Sequence, residues 1–512
     1  MKTVKAYRGM VTSPHYLASQ SGLAVLREGG NAVEAALAVA SSLCVVYPHM
    51  AGMGGDTFWT IYDPASGRVV CIDGSGHSGK AAGPEFLRAN NLSALPQRGP
   101  LSIVTCAGAV SGWQAALEEA RDWSRGLPLA RIFEDAIFYA EHGYPISSSQ
   151  CELLQAKLEE LKAQPGFAAQ FLPGGKVPLP GSRQSLPALG RTLRRLASEG
   201  LDSFYRGPLA REIAGELRQA GSIITLEDLE AQRALRRQPL ELDLSGRGKL
   251  PSGGLRLYNC PPPTQGVASL LILGLFARLL EGRNPDEFTD FELVHGLVEC
   301  TKRAFKLRDE HLADYSDELT GKIREWFKPE YLDKLASGID MAQASPWPAK
   351  TGAGDTVWFG VIDAAGRAVS CILSIYFEFG SGVTLPETGL VWHNRGLGFC
   401  LKDGHANCIG PRKRPFHTLN PALACFDDGR TMPYGTMGGE GQPQTQAALF
   451  SRYAWLGWDL QKAISAPRWL LGRTWGEDST SLKLEADFKP ELIEDLKKAG
   501  HPVEVVAAQN TA

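Results

Sequence analysis

The sequence lacks any apolar stretch long enough to cross a bilayer. Its most apolar run, Val267–Leu280, is too short and carries Arg278. The opening MKTVKAYRGM has no apolar segment of the secretory kind, so the chain is expected to be soluble and cytoplasmic. Charge of one sign is also missing. Lys plus Arg number 53 against 56 Asp plus Glu, a formal net charge of −3, and this argues against a nucleic-acid or membrane-surface binder. There is no CxxC among the ten cysteines, and several lie in apolar runs such as SLCVVY and VSCILS, where a reduced, buried thiol is expected. The Gly-rich GMGGD (52–56) lacks the Lys-Ser/Thr of a phosphate-binding loop, which argues against nucleotide binding.

What is present is an ordinary globular composition over 512 residues, 44% hydrophobic and 21% charged, with 56 Gly and 32 Pro. The first hundred residues read as two helices and two strands: Tyr16–Glu28, Ala32–Val46 capped by Asn31, Thr57–Tyr62 and Arg68–Ile72. Helical spacing then predicts Ala107–Arg121, Ala130–His142, Cys151–Lys162, Pro187–Glu199, Leu209–Ala220 and Phe291–Leu312. The Pro/Gly-rich stretch Gln164–Ser185 reads as a surface excursion. Near residue 340 the texture changes. Ala342–Asp355 is polar and aperiodic, an exposed linker, and it feeds a strong strand, Thr356–Ile362, with a hairpin partner Ala368–Tyr376. Strands follow at Gly389–Trp392, Ala422–Phe426 and Arg430–Gly435, then helices at Gln444–Leu456 and Pro490–Ala499. Strands at both ends with helices between suggest sheet layers covered by helices. His295, Cys300, Asp309 and His311 share one predicted helix but fall on several faces, so no metal site is expected there. PPPTQG (261–266) reads as a rigid loop.

The junction Gly354-Asp355-Thr356 is the most informative feature. Thr356 alone would be a β-branched strand starter. It stands, however, with LREGGNAVEAALAVA, GMGGD, YNCPPPTQG, HGLVECTKRAFKLRDEHLAD, GDTVWFGVIDAAGRAVS, FGSGV, GPRKRP, GTMGG, SAPRW and LKKAGHPVEV, in that order. In these the chain resembles the γ-glutamyltranspeptidase family of N-terminal-nucleophile hydrolases, over nearly its whole length. The resemblance implies an α+β fold, the four-layer αββα sandwich, built from two segments of one precursor: 1–355 as the large subunit and 356–512 as the small one. It implies a self-cleaving amidohydrolase with no cofactor or metal. A threonine hydroxyl needs a base. Cutting between Asp355 and Thr356 would free an α-amine, pKa about 7.7–8.0, able to act as that base. Gly438 and Gly439 fit the oxyanion role, since backbone N–H groups can approach there without side-chain obstruction.

Departures from the family point to the substrate. Ser75 stands where glutamyl-using members carry an Arg for the α-carboxylate. Ser374 and Tyr376 replace a Thr and an Asn, Arg395 and Gly398 replace the Gln and Asp that hold the α-amino group, and His417-Thr418 replace a Ser-Ser pair. An α-ammonium would face a guanidinium. Arg395 therefore reads as an anion binder, a structural ion pair being the plainer alternative, and His417, His393 and Tyr376 as lining of a smaller pocket. These changes resemble the oxamate amidohydrolase-like branch, whose substrate would be a small carboxylate-bearing amide. A glutathione-like γ-glutamyl substrate, and an uncleaved inactive scaffold, stay open as alternatives, as does a higher oligomer. The family usually continues into a hairpin with an Asp-Pro-Arg motif, whereas this sequence stops at Gln509-Asn510-Thr511-Ala512. Either a truncation or a missing hairpin is expected.

Overall fold

The computed structural model describes residues 2–123, 126–245, 254–284, 287–347, 355–472 and 479–508; for Asp355 only the backbone is described. Linker residues 348–354 and the stop at 509–512 lie outside them. In chain order the strands used below are β1 (Gly9–Thr12), β2 (Asp56–Asp63), β3 (Arg68–Gly74), β4 (Leu235–Arg237), β5 (Leu240–Asp243), β6 (Leu255–Asn259), β7 (Asp355–Asp363), β8 (Ala368–Tyr376), β9 (Ala422–Phe426), β10 (Thr431–Tyr434), β11 (Trp469–Leu471), β12 (Leu482–Glu485) and β13 (Val503–Val506). The helices used below are α1 (Tyr16–Arg27), α2 (Ala32–Val46), α3 (Ala109–Glu119), α4 (Gly266–Leu279), α5 (Asp290–His311) and α6 (Gln442–Phe450).

Two compact units form, and neither is a continuous stretch of chain. One comprises 8–238 and 355–419, the other 1–7, 239–354 and 420–512. The first holds a six-stranded sheet in the order β1-β7-β8-β2-β3-β4, all antiparallel. The hairpin β7–β8 sits between β1 and β2, so strands from either side of residue 355 alternate in one sheet. Both strands of this hairpin are rich in apolar residues, Val, Trp, Phe and Ile in β7 and Val, Ile and Leu in β8, as a sheet covered on its faces requires. Helix α2 packs on β7 and β8, and α1 packs on α2. All fifteen α2 residues are buried, and its many alanines allow this close seating. Its start is fixed by a capping box: the Asn31 side chain accepts from the N–H groups of Val33 and Glu34, and the Glu34 carboxylate accepts from Asn31 N–H. Such a cap contributes about 1 kcal/mol.

The second unit holds a four-stranded sheet, β10-β9-β6-β5, which again mixes strands from both sides of residue 355. Helix α4 packs on β5 and β6, with α5 and α6 against it. A small three-stranded sheet, β11-β12-β13, completes this unit.

Several expectations need correction. Gly389–Trp392 is no strand. It makes only single bridges, Val391 to Thr384 and Trp392 to Gly54, because Gly389 takes a left-handed φ of 70° and breaks the extended run. The stretch Gln164–Ser185 is not wholly a surface excursion: Phe167 and Phe171 are fully buried and pack edge-on against Phe379. Ala130–His142 divides into Leu129–Ile132 and Glu134–His142, and Cys151–Lys162 into Ser148–Ala156 and Leu158–Leu161. Gln444–Leu456 begins at Gln442 and ends in a π-turn over Ser451–Trp455. The linker is partly tied down, since Ala344 N–H donates to Ala499 O at 2.7 Å. Among the described residues no helix is long and apolar enough to cross a membrane.

Candidate active site

The site is assembled at one end of three adjacent strands. Thr356 is the second residue of β7 and is buried. Its neighbour β8 pairs with it regularly up to Leu373↔Val357, then slips, so that Tyr376 faces Asp355. Beyond β8 lies β2, with Ser374 opposite Asp56. Thr356 Oγ1 donates to Ser374 Oγ at 3.3 Å, and the same oxygen accepts from Tyr376 N–H at 2.8 Å. The irregularity turns β8 sharply: Tyr376 adopts a φ of 76°, uncommon for a non-glycine residue and costing about 1–3 kcal/mol. The Gly-rich loop 52–56 is needed beneath this turn. A Cβ on Gly55 would lie 2.2 Å from Ser374 O, and one on Gly54 2.2 Å from Val391 O.

Arg395 opens a short turn, Arg395–Gly398, anchored by Asn394, whose side chain bonds Gln97 O (2.8 Å) and Phe377 N–H (3.2 Å). The guanidinium lies 3.7 Å over the Tyr376 ring and is only 1% exposed. Nη1 reaches Thr418 Oγ1 at 3.4 Å, while Nε and Nη2 are buried with no hydrogen-bond partner among the described residues. The ion pair that would make Arg395 purely structural is absent among the described residues. Burial pulls its pKa down to about 10, so it remains a cation at neutral pH. A buried cation with two unspent donors is costly unless an anion meets it.

Beside it lies a buried triad, His393–Asp56–His417. Asp56 Oδ1 accepts from the N–H groups of Gly76 (2.8 Å) and Gly108 (3.1 Å). Its Oδ2 is 3.1 Å from His417 Nε2 and 3.3 Å from His393 Nδ1. Burial alone would raise the Asp56 carboxyl; the two imidazoles outweigh it and hold the group well below the usual carboxylate range. Burial, reinforced by Arg395, pushes His417 down to about 3. His417 is therefore neutral, donating from Nε2 to Asp56. The negative charge of Asp56 is engaged by imidazoles and backbone, and the Arg395 guanidinium forms no ion pair with it among the described residues. The sequence singled out His417, His393, Tyr376, Thr418 and Arg395, and the structure brings them together with Thr356 and Ser374. Asp56 was missed; its only signal was an acid closing a Gly-rich loop at a strand start.

The hydroxyl of Ser75 donates to Asp73 Oδ1 at 2.5 Å. Gly398 is closely packed, since a Cβ there would meet Phe416 O at 2.5 Å.

Gly438 and Gly439 belong to the other unit. Both have positive φ, 103° and 49°, a conformation suited to glycine. They stand at the entry to α6. The carbonyl of Gly439 accepts from Gln265 Nε2 at 2.8 Å, and Gln265 Oε1 accepts from the buried Arg308 at 3.0 Å, so the PPPTQG segment braces the glycine turn. Elsewhere in this unit His295, Glu299 and His501 converge, a grouping not anticipated from sequence. His295 and His501 hydrogen-bond to each other at 2.8 Å, and the buried Lys302 ammonium binds Glu299 at 2.7 Å. A dication would have to displace that ammonium, so the donor set does not favour one.

Comparison with known proteins defines the class. The solved structure of a cephalosporin acylase from Bacillus halodurans matches with a TM-score of 0.87 and 30% identity, covering 99% of this chain and 90% of that one. The fold is the mixed helix and sheet fold of the N-terminal-nucleophile hydrolases. The gamma-glutamyltranspeptidase family model matches residues 18–512, and the chain belongs to that family, as an enzyme of the hydrolase type. Among its relatives are the oxamate amidohydrolase proenzyme of Klebsiella pneumoniae, 53% identical over 98% of this chain and 92% of that protein. A glutathione hydrolase-like proenzyme of Bacillus subtilis is 41% identical over 99% of this chain and 93% of its own length.

Proposed function

We propose that the chain cleaves itself before Thr356 and then hydrolyses the amide of a small carboxylate-bearing substrate such as oxamate. The observation that carries this reading is Arg395: a buried cation with two nitrogens that find no partner among the described residues, stacked on Tyr376 at the strand ends that bear Thr356. In maturation the Thr356 hydroxyl attacks the Asp355 carbonyl, the acyl group moves from nitrogen to oxygen, and water hydrolyses the ester. The products are residues 1–355 and 356–512. The freed α-amine then takes the Oγ1 proton as that oxygen attacks the substrate amide. Arg395 holds the substrate carboxylate through its planar fork, with Tyr376, Thr418 and His417 shaping the pocket and Ser374 positioning the hydroxyl. Ammonia leaves with a proton, and water hydrolyses the acyl-enzyme. Gly438 and Gly439 are assigned the oxyanion from the family pattern.

The same cation disfavours an α-ammonium, and Ser75, turned to Asp73, offers a glutamyl α-carboxylate nothing. The relative named oxamate amidohydrolase supports the reading. The test measures ammonia released from oxamate and anilide released from a γ-glutamyl anilide, with intact mass on the same sample. Turnover of oxamate by cleaved protein is expected. Turnover of the anilide with none of oxamate would shift the reading to a glutathione-type hydrolase, and an uncleaved, inert chain would indicate a scaffold.

A further inference from the structure

None of the ten cysteines is in a disulfide, and seven are buried; only Cys400, Cys408 and Cys425 are partly exposed. Cys400 and Cys408 are also neighbours. They face each other across a single parallel bridge: Cys400 N–H donates to Asn407 O at 2.9 Å, and Ile409 N–H to Cys400 O at 3.0 Å. Residues so paired lie about 4.7–4.9 Å apart and project their side chains to one side of the ladder. That spacing is within the Cα range of a disulfide, roughly 4.4–6.8 Å. The flanking residues Phe399 and Ile409 point to the opposite side, into a small apolar cluster with Ala82, Phe86, Leu95 and Val104. The backbone of the bridge is thus pinned from within while the two thiols share the outer side.

This bridge also holds the loop that seats the pocket. Asn407, which precedes Cys408 in the bridge, donates from Nδ2 to Gly398 O at 2.7 Å and accepts at Oδ1 from Phe416 N–H at 2.9 Å. Gly398 ends the turn opened by Arg395, and Phe416 precedes His417. Lys413 Nζ binds the carbonyls of Ala406 (2.8 Å) and Cys408 (2.7 Å). We propose that Cys400 and Cys408 are a reversible redox pair whose disulfide clasps the loop between Arg395 and His417.

The step is exchange with a low-molecular-weight disulfide such as oxidised glutathione. One cysteine thiolate attacks a glutathione sulfur, the S–S bond breaks and a glutathione thiolate leaves. The second cysteine thiolate attacks the mixed disulfide, and the second glutathione thiolate leaves. Two electrons pass from the cysteines to glutathione, and the two thiol protons end on the released glutathione thiols or solvent. The seven buried thiols are shielded from this exchange; burial pushes those of Cys44 and Cys300 well above the usual range.

The test equilibrates the full chain with glutathione buffers of increasing oxidising ratio, alkylates the remaining thiols and maps peptides by mass. Loss of two alkylatable thiols per chain is expected, with a 400–408 cross-link and a mass lower by about 2 Da than the reduced form. Cys408→Ser should leave Cys400 as a glutathione adduct or an open thiol. Trypsin cleavage after Lys402 should be slower in the oxidised than the reduced wild type, and equal in the two states of Cys408→Ser. Two thiols that stay open at the most oxidising ratio, or separate adducts on Cys400 and Cys408, would overturn the pair. A cross-link that leaves the Lys402 rate unchanged would overturn the clasp.

Discussion

Under the proposed mechanism Arg395 and Thr356 carry different duties, and single substitutions separate them. Thr356→Ala should leave one uncut chain on intact mass and abolish turnover, because both processing and acylation use the same oxygen. Arg395→Gln should leave processing intact while lowering kcat/KM for oxamate. Losing a charge-assisted bond to a buried anion costs about 2–5 kcal/mol, tens- to thousands-fold in rate or affinity. Arg395→Lys should be impaired but less so, since a point charge replaces the fork. Steady-state kinetics of cleaved protein decides both; unchanged kinetics in the Gln variant would remove Arg395 from the site. Arg395 could be singled out in the sequence because, by the family resemblance, it stands where a Gln would help to hold an α-ammonium. Asp56 was not. Its role depends on His393 and His417, which lie more than three hundred positions away and meet it only in the folded sheet.

Among elements, the loop 52–56 is the most sensitive. Gly55→Ala places a methyl against Ser374 O, 2.2 Å away, and the neighbour is backbone, which cannot swing aside. A loss of roughly 2–4 kcal/mol in stability is expected, with slowed processing because Ser374 touches Thr356. Thermal unfolding and the time course of cleavage report the two effects; a variant that processes at the wild-type rate would show that the loop does not set the Ser374 geometry. Helix α2 was readable to its exact limits, Ala32–Val46, because Asn31 and Glu34 cap an uninterrupted small-residue run. The strands Leu235–Arg237, Leu240–Asp243 and Leu255–Asn259 were not anticipated. They are short and carry charged residues, and only their partners make them strands. The slip between Leu373 and Tyr376 was equally hidden, for nothing in SIY announces a left-handed tyrosine.

For the whole molecule, intact mass should resolve two pieces, 1–355 and 356–512, that co-elute under native conditions. Each of the two large sheets interleaves strands from both pieces, so neither piece holds either of them complete. Separation of the pieces without denaturant would contradict this. Acid should destabilise the fold early. Burial pushes both His49 and His417 down to about 3, whereas unfolding restores them to about 6.5. The folded state then binds fewer protons between these values. Stability is full above pH 6.5 and falls as pH drops through this window, by about 2 kcal/mol per imidazole at pH 5. Melting curves at pH 7.5 and 5 test this, and His49→Gln should narrow the gap between them; a flat profile over that range would contradict the buried, neutral state.

The place of the β7–β8 hairpin, between β1 and β2, governs how the molecule is born. A ribosome delivers β2 roughly three hundred residues before β7, which at about 5–20 residues per second is roughly 15–60 s. Through that interval the nascent chain exposes the edges of β1 and β2 without the two strands that close the gap, an invitation to mispairing with other nascent chains. Synthesis in the cell therefore depends on holding the first three hundred and fifty residues apart from their neighbours until the hairpin arrives. Slowing translation or depleting chaperones should reduce the soluble yield before any change in the finished fold is felt.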